Sequence, residues 1–181
     1  LLPHNALATN KLASSIGSTA STVRYCKHGY FDKLIVLPSI FCALLGSTCG
    51  AHLALLTSDT ILKKVMLIVL PIVALCVLTN KKETVQDSSF ATWKRIMIVC
   101  TCAFPIGMYD GFYGPGTGTF LLLALTRLAH MDVRTASGNV KLINLSSNAA
   151  ALFTFLFNGQ VLFAPGLAGA AFCLAGHYVG S

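Results

Sequence analysis

The chain has 181 residues, 55% hydrophobic and 10% charged, with mean hydropathy +0.72 and a formal net charge of +7. A soluble domain carries about a quarter charged residues, so this deficit excludes an ordinary water-soluble fold and points to lipid as the solvent. Nucleic acid is not the expected partner either: the basic residues lie between apolar runs, as orienting loop charges do, and form no patch with interleaved aromatics.

In chain order, a moderately polar helix is expected over about 5–26, followed by apolar helices over about 34–57 and 65–79. Another runs over about 95–109 and stops at a glycine-rich break. A short apolar helix over about 117–130 follows, then a long one over 135–157 and a last one beginning near 163. Between Lys33 and Lys63 the only acidic, basic or imidazole side chains are His52 and Asp59, and no Asp, Glu, Lys or Arg follows Lys141. A bilayer span needs roughly 20 mostly apolar residues, so the fold class is an all-α polytopic membrane protein. Pro38, Pro71, Pro105 and Pro165 fall inside or beside these spans, which membrane helices tolerate.

Loop charge assigns sides. Arg24, Lys27 and Lys33 follow the first helix, and Lys81, Lys82, Lys94 and Arg95 follow the third, whereas Lys63 and Lys64 alone follow the second. Seven basic residues against two put the first and third connections on the cytoplasmic side of a multi-pass cell-membrane protein. The seven cysteines sit almost wholly in apolar runs without a CxxC pair, so they read as small packing residues.

Laying residue i on residue i+130 aligns the two ends of the chain without a gap. Lys11 meets Lys141, Gly29 meets Gly159, and Gly46 and Gly50 meet Gly176 and Gly180. An odd number of crossings separates the two copies, and only the first has a basic connection. The expectation is an inverted-topology repeat within one transmembrane domain over 1–181, a partial first unit over about 1–95 and a partial second over about 96–181. The unmatched parts amount to roughly 35 residues at the front and roughly 60 at the back, so a fragment of a longer protein is expected.

The break, YDGFYGPGTGTF over Tyr109–Phe120, has glycine at 111, 114, 116 and 118 and a proline at 115. Glycine lets a ligand approach the backbone and proline stops the helix. In lipid such a break survives only when buried in protein or lining a cavity. The helix starting near Thr117 would aim free N–H groups into that cavity and favour an anion. A lysine on an apolar helix is costly unless paired or facing a cavity. Lys141 shares a polar surface with Asn139, Asn144, Ser147 and Asn148, and Lys11 shares one with Thr9, Asn10, Ser14, Ser15 and Ser18. Both lysines could instead snorkel to the interfaces. Asp110 could carry a proton, pair with a lysine or cap the broken helix. The G-xxx-G pairs read as helix-packing faces, and His52 and His177 as structural. No metal cluster, HExxH, GxSxG or Walker A pattern occurs, so neither cofactor, metal nor enzymatic reaction is expected.

HNALATNKLASSIGS, GMYDGFYGPGTGTF and ASGNVKLINLSSNAAALFTFLFNGQV resemble the TauE/SafE family of sulfite and sulfonate exporters, the TSUP permeases, and within it the YfcA-like branch. The resemblance covers essentially the whole chain and implies an integral membrane permease of roughly eight spans in full length, for sulfite, organosulfonates or related anions. Carried onto this sequence, the family's polar motifs are Ala8 to Lys11, Asp110 to Gly118 and Lys141 to Asn148. The expected substrate-binding set is therefore Asn10, Lys11, Asp110, Tyr113, Gly114, Gly116, Thr117, Gly118, Lys141, Asn144, Ser147 and Asn148. The expected partners are a small anionic solute, a sulfur oxyanion first among them, and the lipid bilayer, with a homo-oligomer left open. A passive anion channel and a membrane scaffold without transport are the competing functions.

Overall fold

A computed structural model describes residues 2–78 and 91–180. Lys81 and Lys82 lie outside the described residues, as do the side chains of Cys76 and His177. The described chain is helical throughout: α1 Pro3–Lys27, α2 Lys33–Leu56, α3 Asp59–Leu78, α4 Thr92–Phe112, α5 Thr117–Leu123, α6 Val133–Phe157 and α7 Phe163–Gly180. α5 continues into a π-helical turn, Ala124–Leu128. Pro3 opens α1, where its missing N–H costs nothing. Asp32 and Asp132 cap α2 and α6 by accepting from the amides of Leu34 and Thr135.

Two boundaries differ from the sequence reading. α3 starts at Asp59 rather than near 65, so Lys63 and Lys64 are exposed side chains on a helix, not loop residues. An acid in the first turn favours the earlier start. α4 runs to Phe112 rather than 109 and takes in Asp110 and Gly111, which leaves the break to residues 113–116. Gly111 stays helical because its bare face is needed. A Cβ there would run into the Ser47 carbonyl, one at Gly107 would meet Ala43, and those at Gly46 and Gly50 would meet Phe104 and Met108. α2 and α4 thus pack backbone to backbone through paired small residues. Gly176 has open space where a Cβ would point, so the second expected glycine face packs nothing there among the described residues.

α2 packs on α4 and α6, α1 packs on α6 and α7, and α5 lies against α4 and α6. Contacts Asn5–Gln160, Lys11–Asn148 and Thr22–Lys141 descend α6 as they climb α1, so the two run antiparallel. One apolar cluster gathers Val36, Ala43, Val99, Leu121 and Ile143. A second gathers Leu12, Ala51, Ala151 and Phe155. Along α2 and α6 the polar residues Ser47, Ser147 and Asn148 fall between the two. Outward, Phe41, Leu67, Phe157 and Phe172 are all more than 60% exposed, a surface suited to lipid rather than water. Among the described residues two helices, Lys33–Leu56 and Val133–Phe157, are long and apolar enough to cross a membrane.

Candidate functional site

α1 ends with Gly29 at φ +68° and α6 ends with Gly159 at φ +66°. The Gly29 amide donates to Cys26 O at 3.1 Å, and the Gly159 amide to Leu156 O at 3.0 Å. The following connectors are held by the opposite helix of the pair. Asn139 Oδ1 on α6 accepts from the Asp32 amide at 3.0 Å, and Thr9 Oγ1 on α1 accepts from the Leu162 amide at 3.2 Å. These reciprocal bonds fix how α1 and α6 face each other, and the polar layer lies between them. Asn139 is therefore a clamp on the chain entering α2, not part of the polar cavity.

At the centre Lys11 Nζ lies 2.9 Å from Asp110 Oδ1, with both side chains 2% exposed. Lys11 also donates to Asn148 Oδ1 at 3.0 Å. Thr117 Oγ1 sits 2.9 Å from Asp110 Oδ1 and 2.6 Å from Gly114 O, and its single proton can serve only one of them at a time. Ser147 Oγ donates to Asp110 Oδ2, while Ser47 Oγ donates to Ser147 O at 2.6 Å. Removing one member of such a buried pair leaves an uncompensated charge, which costs several kcal/mol. Of the three roles open to Asp110 in the sequence, the structure displays the ion pair, and the lysine it selects is Lys11.

The break carries the backbone past this pair. Gly114 at φ +99° and Gly116 at φ +81° adopt left-handed conformations that other residues rarely hold. A Cβ on Gly114 would stand 2.9 Å from Lys11 Nζ, so glycine is what lets the ammonium approach. Tyr109 Oη donates to Pro115 O at 2.6 Å and holds the loop down. The amides of Gly114, Thr117, Thr119 and Phe120 have backbone acceptors, whereas those of Gly116 and Gly118 have none among the described residues.

A cavity of about 230 Å³ opens here, lined by Asn10, Lys11, Ser14, Ser18, Asp110, Gly114–Gly118, Asn144 and Asn148. It brings together nine members of the expected set: Asn10, Lys11, Asp110, Gly114, Gly116, Thr117, Gly118, Asn144 and Asn148. Three stand apart from its lining. Tyr113 turns away, packing with Leu7 and Leu62 and reaching Met66 O at 3.5 Å. Ser147 lies beneath Asp110 as a hydrogen-bond donor. Lys141, half-buried and without an ion pair among the described residues, lines a neighbouring cavity of about 300 Å³ with Tyr25, Ser137, Gly118 and Asn144. Gly118 and Asn144 belong to both cavities. The sequence reading missed Ser47, since it lies in GSTCG, where the glycines carried the pattern. Ser15, counted in the polar surface, is buried with its hydroxyl unpartnered among the described residues.

The sequence pattern described as Sulfite exporter TauE/SafE matches residues 1–181. A probable membrane transporter protein, ORF9, of Sinorhizobium sp is 34% identical over 167 residues, covering 91% of this chain and 63% of the relative. The probable membrane transporter protein YfcA of Escherichia coli K12 is 29% identical over 181 residues, covering 99% of this chain and 65% of that protein. A probable membrane transporter protein of Haemophilus influenzae is 27% identical over 179 residues, covering 99% of this chain and 70% of its own length. The chain thus spans less than two thirds of the length of ORF9 and YfcA. No solved structure matches it significantly. None of the relatives' names specifies a solute. The chain belongs to the TauE/SafE sulfite exporter family of membrane transporters.

Proposed function

We propose that the protein is a secondary transporter of small anions in the cytoplasmic membrane, with sulfite or an organosulfonate as cargo. The observation that carries this reading is the cavity of about 230 Å³ lined by an ammonium group, two glycines whose amides lack backbone acceptors among the described residues, and three asparagines, between apolar layers. A site of that size suits an anion of a few heavy atoms. The amides of Gly116 and Gly118 supply donors at fixed positions, and Lys11 has donor capacity beyond its two partners. Lys141 in the adjoining cavity supplies a cation not already spent on a carboxylate.

The architecture proposed is an inverted-topology repeat crossing the membrane several times. α1 and α6 have 25 residues each, and the start residues of α1 and α6, and of α2 and α7, stand 130 apart in the chain. The matching helix ends and reciprocal connector bonds support the same reading, as does the antiparallel run of α1 against α6. Such repeats place their substrate site at the unit interface, where this cavity lies.

The test is a thermal-shift panel on the purified protein with sulfite, sulfate, thiosulfate, taurine, sulfoacetate, acetate and phosphate. An anion present at 100 times its Kd adds about 2.7 kcal/mol of apparent stability. Selective stabilisation by one sulfur oxyanion, weakened in Asn144→Leu and Lys141→Ala, is the expected result. No response to any anion, or one unchanged in both variants, contradicts the site.

A further inference from the structure

Outside the central cavities, α1 finishes and α6 begins at the same end of the bundle. A separate cavity of about 260 Å³ lies there, lined by Arg24, Tyr25, His28, Tyr30 and Arg134. Gly138 of α6 meets the Tyr30 carbonyl so closely that no Cβ would fit, which ties the two helix ends together. The Arg134 guanidinium stands 5.2 Å from the Tyr30 ring centre, and His28 stacks on Tyr30 at 5.7 Å and 12°. Tyr25 meets the same ring edge-on at 6.4 Å. The aromatic faces are thus occupied by one another and by Arg134, which leaves no stacking platform for a nucleobase.

What remains open is cationic. Neither arginine has an acidic partner within ion-pair distance, since the ion pairs among the described residues are His4–Asp59 and Lys11–Asp110. Of the two carboxylates nearest in sequence, Asp32 caps α2, and Asp132 accepts from both the amide and the hydroxyl of Thr135 and feels the Arg134 charge from beyond ion-pair distance. Two guanidinium forks in one small cavity match the several acceptor oxygens of a phosphate ester better than a single carboxylate. The flanking residues Val23, Leu34 and Val133 are exposed apolar side chains, so the ligand that fits carries a phosphate head and a hydrocarbon tail.

We infer that the Arg24–Arg134 cavity binds the phosphodiester headgroup of an anionic phospholipid. Its acyl chains lie along the exposed apolar side chains below. The site is separate from the anion-transport cavities, and it is formed jointly by α1 and α6, so its occupancy ties these two helices at one end. Basic residues beside a membrane surface attract anionic lipid in this way.

The experiment uses the purified protein in phosphatidylcholine nanodiscs doped with phosphatidylglycerol, with retained lipid read by native mass spectrometry. Phosphatidylglycerol is expected to be enriched on the wild type and held about thirty-fold less tightly by the Arg24→Gln/Arg134→Gln double variant, two basic contacts of the usual surface strength. In pure phosphatidylcholine the variant should melt with the wild type, which separates loss of lipid from loss of fold. Lys27→Gln/Lys33→Gln should leave retention unchanged. Equal retention in the arginine variant, or equal loss in the lysine variant, overturns the pocket. Binding of glycerol 3-phosphate as tight as that of phosphatidylglycerol overturns the lipid assignment.

Discussion

Lys11 and Asp110 are 99 positions apart in the chain, and their pairing could not be read from spacing. The sequence marked both as costly on apolar helices but offered Asp110 two lysines and two other roles. Only the antiparallel crossing of α1 on α6, with the longer α4, decides that Lys11 is the partner. Lys11→Met leaves a buried carboxylate without its countercharge, and about 3–5 kcal/mol of stability should be lost. Lys11→Met with Asp110→Leu removes both charges and should recover most of that loss, as replaced buried pairs commonly do. Denaturation of the single and double variants in detergent checks this, and equal losses would contradict the pairing. Asn144 and Asn148 drew notice in the sequence because amides one and two turns beyond a lysine stand out on a largely apolar helix. Ser47 was not, since its acceptor is the Ser147 carbonyl on another helix.

At the scale of elements, the helices were largely legible because apolar lengths and glycine or proline stops set them. The π-helical turn after α5 was not, since it leaves no compositional mark, and the early start of α3 was missed although Asp59 in its first turn marks it. α6 owes its start to Asp132, and the hydrogen bond from the Thr135 amide holds that carboxyl below its ordinary value of 3.8. A lowered folded-state value means the cap stabilises fully above the ordinary carboxyl range and is lost as pH falls through the folded value. Asp132→Ala should cost about 1 kcal/mol near neutral pH. The difference from wild type should shrink steadily below pH ~4. Chemical denaturation at both pH values reads it, and a pH-independent difference would remove the cap from the account.

For the molecule as a whole, the all-helical class followed from composition, but the packing partners did not. A helix that is apolar on every side carries no stripe to say which face meets protein and which meets lipid. The reading with α1 and α6 inverted across the membrane makes a direct prediction. In a background without native cysteines, His28→Cys and Asn158→Cys, both exposed at helix ends, should react with an impermeant thiol reagent from opposite sides. Reaction from the same side would end the inverted reading. The exchange of partners has a mechanical corollary. α1 lies on α7, and α2 on α4 and α6, so helices from the front of the chain pack on helices from the back. On the transport reading proposed above, Gly29 and Gly159, both at positive φ, are the joints about which two such blocks would swing, with the cavity between α1 and α6 on the seam. A staple within one block should then be harmless. A Cβ on Gly169 would stand 3.3 Å from the Ala13 Cβ, near the spacing a disulfide needs. Oxidised Ala13→Cys/Gly169→Cys should therefore keep its flux, and arrest on oxidation would mean that α1 and α7 slide past each other during turnover.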